Sequence, residues 1–305
     1  MLIFYTQPYK KLAQRMMSKL QATEGIVEYA TFPDGERYYR IQSSVRGQEV
    51  LLLSGAYDND SLMESYDLAC GLIQEGALKL NLIIPYFGYS TMERAVLKGE
   101  IVTAKNRARM LSSIPRAAQG NTIYLVDLHT GGLEHYFEGG LEVRHLYAKE
   151  IILSAIKDLG GEDFVLGSTD AGRAKWVESL SNDIGVDAAF VYKKRISGDQ
   201  TSVTAISANV LERNVVIYDD MIRTGGSLIG AAKAYLESGA KSVFAVTTHG
   251  LFSKNAIERI KASGVINKIT TTDSHPNSTD LIDDCFLIGC SLDNILSEPF
   301  LKNEL

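Results

Sequence analysis

The chain has 305 residues, 45% of them hydrophobic, and a net charge of −6 from 31 basic and 37 acidic side chains. That length suggests about two domains, with apolar content enough for two cores. The acidic balance argues against a general nucleic-acid surface, which needs clustered Lys and Arg, yet leaves room for a local small-anion site.

No segment approaches the ~20 apolar residues of a membrane span. The opening Met1-Leu-Ile-Phe-Tyr5 is too short for a signal h-region and lacks a basic n-region. The three cysteines, Cys70, Cys285 and Cys290, lack zinc spacing and suit a reducing compartment. The expectation is a soluble, cytoplasmic protein without membrane or nucleic-acid partners.

Strand-like apolar runs alternate with helical patterns from end to end, which predicts an α/β fold with largely parallel sheets. Strands are expected at 50–53, 80–84, 122–126, 164–167, 188–191, 215–218 and 243–247, and helices at 62–74, 104–112, 174–182 and 227–237. Displacing the first half by 163 positions lays Leu51-Leu-Leu-Ser-Gly-Ala-Tyr57 on Asn214-Val-Val-Ile-Tyr-Asp-Asp220. The same shift lays Glu75-Gly-Ala-Leu-Lys79 on Ser238-Gly-Ala-Lys-Ser242. Each half thus reads strand, loop, helix, Gly-Ala, strand. Generic α/β wiring could produce such an echo, and so could a duplication. No Pro- or Ser-rich linker marks the boundary, which is placed between residues 147 and 148, with the last helix a candidate to pack back on the first half.

Taken in order, the first polar cluster is Thr31-Phe-Pro-Asp-Gly-Glu-Arg37. Pro-Asp-Gly is a turn signal, and Phe32 with Asp34 and Glu36 could stack on and hydrogen-bond a nucleobase. In Pro85-Tyr-Phe-Gly-Tyr-Ser-Thr-Met-Glu-Arg94, Ser90 and Glu93 fit a capping box, and Arg94 is a candidate phosphate contact. Val126-Asp-Leu-His-Thr-Gly-Gly132 ends an apolar strand in a turn where His129 is as suited to being an ordinary loop histidine as to meeting a metal or phosphate. In Ser168-Thr-Asp-Ala-Gly-Arg173, Asp170 could cap a helix or hold a hydrated Mg²⁺ that also uses substrate phosphates. Val191-Tyr-Lys-Lys-Arg-Ile-Ser197 is by itself best read as a solvated basic turn; in an extended chain Lys193 and Arg195 would also share a side and could clamp a diphosphate.

The most informative stretch is Val215-Val-Ile-Tyr-Asp-Asp-Met-Ile-Arg-Thr-Gly-Gly-Ser-Leu-Ile229. A buried strand ends in Asp219 and Asp220, whose carboxylates can accept hydrogen bonds from vicinal ribose hydroxyls. Thr224, Gly225, Gly226 and Ser227 then turn into a helix, where small residues let backbone N–H groups close on a phosphate. The lysine of the nucleoside-triphosphatase loop is missing. In the first half Ala56-Tyr57 and Leu62-Met63 stand at the echo positions, so only the second half carries the cradle.

Eight collinear segments together resemble the PRPP synthetase (ribose-phosphate diphosphokinase) family across nearly the whole chain. They are Phe32-Pro-Asp-Gly-Glu36, Pro85-Tyr-Phe-Gly-Tyr89, Thr103-Ala-Lys105, Asp127-Leu-His129, Asp170-Ala-Gly172, Lys193-Lys-Arg195, Asp219-Asp220 with Thr224-Gly-Gly-Ser227, and Thr248-His-Gly-Leu-Phe-Ser253. The resemblance implies two tandem phosphoribosyltransferase-like domains with an active site between them, in a homodimer or hexamer. It implies ATP bound by Phe32, Asp34 and Glu36 across a subunit interface and by Arg94, with Mg²⁺ at His129 and Asp170. It further implies Lys193, Arg195 and His129 as catalytic, Asp219 and Asp220 on the ribose hydroxyls, and Thr224 to Ser227 on the 5-phosphate. The implied reaction moves the β,γ-diphosphate of ATP to the anomeric hydroxyl of ribose 5-phosphate and releases AMP.

Two departures stand out. Where the family usually reads Ala-Arg-Gln-Asp-Arg, this chain has Ser90-Thr-Met-Glu-Arg94, and Arg223 stands where the family has Asp or Ser. A cation beside the 5-phosphate suits a more anionic acceptor such as ADP-ribose, giving an alternative diphosphokinase serving NAD resynthesis. A non-catalytic regulatory subunit is the reading from a different class.

Overall fold

The computed structural model describes residues 1–170, 172, 174–197, 200–279 and 285–302, with the side chains of 192–205 and 279 outside that description. The chain forms two compact units: Met1–Tyr147 with Ser291–Leu305, and Ala148–Cys290.

The first unit contains strands β1 (Leu2–Tyr5), β2 (Thr23–Glu24), β3 (Val27–Thr31), β4 (Arg37–Ile41), β5 (Glu49–Leu53), β6 (Lys79–Ile84), β7 (Asn121–Val126) and β8 (Glu142–Leu146). Its helices are α1 (Lys10–Leu20), α2 (Asn59–Gln74) and α3 (Thr103–Ser112). Six strands pair in the order β2-β1-β5-β6-β7-β8, all parallel, while β3 and β4 form a separate antiparallel hairpin. Because a parallel sheet is covered on both faces, its central strands read as continuous apolar runs rather than alternating ones. Leu52, Leu82 and Ile123 are buried against Leu62, Leu68 and Leu72 of α2 and Ala104, Ala108 and Leu111 of α3.

The second unit contains helix α4 (Lys149–Gly160), β9 (Phe164–Ser168), α5 (Ala174–Ile184), β10 (Asp187–Ala189), β11 (Val191–Ser197) and β12 (Gln200–Ile206). It continues with β13 (Asn214–Ile222), α6 (Gly226–Glu237), β14 (Ser242–Gly250), α7 (Ala256–Ser263), β15 (Lys268–Thr272), the short α8 (Pro276–Thr279) and β16 (Leu287–Cys290). The sheet order is β10-β9-β13-β14-β15-β16, again all parallel, with β11 and β12 as a separate hairpin. Strand for strand this matches the first unit. The shared Gly-Ala pair has the same job in both: Gly76 and Gly239 take φ of +94° and +92°, and Ala77 and Ala240 donate back to Leu72 and Tyr235 at 3.1 and 3.0 Å. This is the left-handed helix stop for which glycine carries no steric penalty.

The last helix, α9 (Asp293–Leu301), belongs to the first unit and packs on α1. Arg15 Nε donates to Ser291 Oγ at 2.9 Å, Lys19 Nζ lies 2.6 Å from Asp293, and the Phe300 ring sits 5.2 Å from that of Tyr124.

Three sequence expectations need correction. The run 188–191 is not one strand: the chain leaves the sheet at Phe190, so β10 pairs with β9 while β11 starts the hairpin. No helix follows Ser90, because 85–102 is irregular and α3 starts at Thr103, so the Ser90–Glu93 capping box does not form. Finally, β13 runs to Ile222 rather than ending at Tyr218, since its ladder to β14 continues through Asp219 and Met221.

Candidate functional site

Open parallel sheets bind ligands beyond the carboxyl ends of their strands, and in the second unit β9, β13 and β14 present their ends side by side. Asp219 and Asp220 lie inside the last part of β13, and successive strand residues project to opposite faces. The two carboxylates are therefore not equivalent. Asp219 Oδ2 accepts the Thr169 hydroxyl at 2.9 Å from the end of β9, whereas Asp220 is 5% exposed.

Past Ile222 the chain turns into α6 with Gly225 as the N-cap, at φ +75° and ψ 0°. A side chain there would be strained in this left-handed conformation. It would also place its Cβ 2.7 Å from Ile260 of α7. Gly225 is buried, while Arg223, Thr224, Gly226 and Ser227 are exposed around it. No side chain caps the helix. The amino end of α6, with its favourable partial positive charge, thus faces outward among small residues, an arrangement fitted to a phosphate.

A residue that sequence reasoning missed locks this helix to the ends of β9 and β10. Tyr235, fully buried on α6, accepts the Ser168 N–H at 3.2 Å, and its hydroxyl reaches the carbonyls of Ser168 and Ala189 at 3.0 and 2.9 Å. Burial pushes its phenol well above the ordinary tyrosine range, so it stays a neutral donor. Gly167 makes room for it: a Cβ at that position would lie 3.0 Å from the Tyr235 hydroxyl. The sequence signal was a single aromatic in an Ala-rich helix, which reads as ordinary core.

Asp170 is exposed just beyond β9, and its Oδ1 accepts the Gly172 N–H at 2.8 Å. This is a local turn bond of the capping kind. Lys193 and Arg195 sit on β11 opposite Val203 and Thr201; their side chains lie outside the described residues, as do Ala171 and Arg173 of the 168–173 segment.

In the first unit, Phe32, Asp34 and Glu36 cluster at the tip of the β3–β4 hairpin. Phe32 N donates to Glu36 O at 2.8 Å, Glu36 N donates to Asp34 Oδ1 at 3.2 Å, and Gly35 takes φ +95°. The Phe32 ring is 49% exposed, with its edge on Tyr38 at 6.0 Å, so an aromatic face is offered to solvent. Arg94 is exposed, with Glu93 at 3.5 Å. Tyr136 donates its hydroxyl to Glu93 O, tying this segment to the turn after His129.

His129 is half-buried beyond β7, next to Asp127, which holds φ +37°. Here too a supporting group was missed. The side chain of His145 on β8 is buried; its Nε2 accepts the Leu128 N–H and its Nδ1 bonds Glu134, both at 2.9 Å. Those two bonds assign the proton to Nδ1 and pin the Asp127–His129 turn. Nothing in the spacing of His145 from Leu128 announces this, because the contact crosses neighbouring strands.

Among the described residues no three His, Cys, Asp or Glu side chains converge on a point. Asp170 in one unit and His129 in the other each stand just beyond a strand end. Either group alone suits the kind of Mg²⁺ that keeps water and substrate phosphates as most of its ligands, rather than a protein-only cage.

Comparison with known proteins places this geometry. Residues 1–114 match the model for the N-terminal domain of ribose phosphate pyrophosphokinase, and 175–299 match the phosphoribosyl synthetase-associated domain. The ribose-phosphate pyrophosphokinase of Campylobacter jejuni is 34% identical over 80% of this chain and 78% of its own. That of Vibrio cholerae is 32% identical over 99% and 95%. The chain belongs to the ribose-phosphate pyrophosphokinase family. The crystal structure of phosphoribosylpyrophosphate synthetase from Mycobacterium smegmatis superposes with a TM-score of 0.87 at 27% identity, covering 99% of both chains. This PRPP synthetase family member is accordingly an enzyme of the diphosphotransferase class, built from two phosphoribosyltransferase-like domains. Among the described residues no helix is long and apolar enough to cross a membrane.

Proposed function

We propose that the chain transfers the β,γ-diphosphate of ATP to the anomeric hydroxyl of ribose 5-phosphate. The observation that carries this is the uncapped amino end of α6 beside two carboxylates on β13. Thr224, Gly226 and Ser227 would hold the 5-phosphate, and Asp219 and Asp220 the ribose hydroxyls, fixing the sugar at both ends. The names of its relatives specify a ribose phosphate as acceptor and a diphosphate as the group moved.

In the reaction the anomeric oxygen forms a bond to the β-phosphorus while the bond from that phosphorus to the α,β-bridging oxygen breaks. AMP leaves with the bridging oxygen, and the anomeric proton is released. Phe32, Asp34 and Glu36 would receive adenine and Arg94 the ATP phosphates, with the hairpin tip offered to a second copy of the chain in a homodimer or hexamer. Lys193 and Arg195 would balance charge on the moving diphosphate. Rate acceleration would come from positioning and fixed charge, since no covalent enzyme intermediate is needed. Asp170 and His129 would hold Mg²⁺, which when bound supplies charge neutralisation on the phosphate oxygens. A cytoplasmic setting would suit this chemistry.

One observation favours a second acceptor. Arg223 is exposed at the start of the phosphate loop. A cation there attracts a second phosphate attached to the first, as in ADP-ribose. Release of AMP from Mg-ATP, followed with ribose 5-phosphate and with ADP-ribose in turn, decides between them. Turnover with ribose 5-phosphate alone supports the first reading, and a higher kcat/KM with ADP-ribose supports the second. No AMP with either acceptor rejects both in favour of a regulatory subunit.

A further inference from the structure

Beyond the phosphate loop lies a cleft to which no role has been given. The segment after β14 folds back on that loop. Leu251 N and Phe252 N both donate to Ile222 O at 3.0 Å, and Ser253 N donates to Arg223 O at 2.9 Å. Three non-glycine residues of this short segment take positive φ: Phe252 at 40°, Lys254 at 54° and Asn255 at 56°. Such conformations are strained and persist only where the surroundings enforce them. Gly250 allows the fold-back, since a Cβ there would meet the Phe252 ring at 2.3 Å. Asn277 of α8 fastens the segment from the other side through its side-chain amide to Leu251 O.

Between this segment, α7 and α8 is a cavity of about 490 Å³, within the ~300–1,000 Å³ usual for small-molecule clefts. Its polar lining comes from Ser253, Lys254, Asn255, Glu258, Lys261 and Asn277. Lys254 is exposed and forms no ion pair with any described residue. Lys261 lies over the Phe286 ring at 5.4 Å. The lining therefore combines ammonium groups for a phosphate with a carboxylate and amides for hydroxyls or a base.

Strand order sets what this cleft can receive. Along the carboxyl edge, the β9 end with Asp170 comes first, the β13 loop second and the β14 segment third. An acceptor whose anomeric end faces Asp170 and whose 5-phosphate rests on Thr224 to Ser227 would continue past Arg223 into the third position. We infer that the cleft beside Lys254 is a subsite for the tail of an extended acceptor, a ribose 5-phosphate esterified through a second phosphate to a nucleoside. This rests on the assignment of the β13–α6 loop as the sugar-phosphate site. It adds the location and chemistry of a tail subsite, which ribose 5-phosphate itself would leave empty.

Titration calorimetry on the full chain tests it, with ADP-ribose as the probe and ribose 5-phosphate and ADP as references. Lys254→Glu is expected to weaken ADP-ribose by about tenfold or more and Lys254→Ala by less, with both references moving by under about twofold. Failure of the wild type to bind ADP-ribose, no response to Lys254→Glu, or equal weakening of all three ligands would overturn it. The two levels fail separately. AMP formation from ribose 5-phosphate with ADP-ribose binding blind to Lys254 removes the subsite and leaves the diphosphokinase. ADP-ribose binding that falls in Lys254→Glu, without AMP formation from any acceptor, leaves the subsite and removes the diphosphokinase.

Discussion

The two units share a sheet order and a helix stop, and they differ at the turn between the second core strand and its helix. In the first unit that turn ends in Asp58, whose side chain accepts the Ser61 N–H at 2.8 Å while the Ser61 hydroxyl accepts from Asp58 N at 3.0 Å. The helix α2 is thus closed by its own capping box. In the second unit the equivalent place is Gly225, left-handed and without a side-chain cap. One unit satisfies its helix terminus from within, and the other leaves that terminus without a side-chain cap, open to the phosphate we propose for it. The comparison teaches that the proposed binding loop differs from its sister turn by withholding a cap that the sister supplies. The lost cap is worth ~1 kcal/mol of local stability.

The most damaging way to break this contrast is Gly225→Ala. An added Cβ is strained at φ +75° and drives into Ile260, shifting the loop. Steady-state kinetics should show kcat/KM for the sugar phosphate falling by about a hundredfold, the cost of roughly 1 Å of misplacement. Asp58→Ala attacks the other side of the comparison. Denaturant unfolding should register a loss of about 1 kcal/mol, with the KM for the acceptor unmoved. A change in KM would show that the first-unit turn also meets substrate.

The smallest effect concerns how α9 closes the first unit. Burial pushes the Asp293 carboxyl up, but hydrogen bonds from Lys19 and Ser291 and the charges of Lys19 and Arg15 outweigh it and hold the group below the ordinary carboxylate range. A depressed folded-state value contributes stability that is complete above the unfolded value of about 3.9 and is lost as pH falls through the folded one. Because Lys19 is one-third exposed, the contribution stays under ~1 kcal/mol. Thermal melts of wild type and Lys19→Met should differ near pH 7 and converge below about pH 4. A gap that persists in acid would mean that Lys19 acts through packing instead.

The sequence was most legible where local rules decide structure. The Pro-Asp-Gly turn, the Gly-Ala stops and the small-residue loop into α6 each follow from backbone allowances of two or three residues. The strands β5, β6, β7, β9, β13 and β14 were visible as apolar runs, whereas β1, β8, β16 and, most tellingly, β15 were not. Its Thr270, Thr271 and Thr272 are buried, and their fit depends on distant partners such as Thr248 O, which accepts the Thr272 hydroxyl at 2.6 Å. The polar β3–β4 hairpin stands largely in solvent and shows no apolar run at all. Site residues split the same way. The candidates Asp219, Asp220 and Thr224 to Ser227 fall in one short stretch of sequence and stood out as a group. Tyr235 and His145 act on Ser168 and Leu128 across the fold, and only the folded chain brings them there.

The most direct test of the central claim is titration of ribose 5-phosphate into the wild type, Gly225→Ala and Asp58→Ala under one buffer. The account predicts binding by the wild type and by Asp58→Ala with closely similar Kd, and loss of binding in Gly225→Ala. Equal binding by all three, or loss in Asp58→Ala alone, would contradict the assignment of the sugar-phosphate site to the uncapped helix of the second unit.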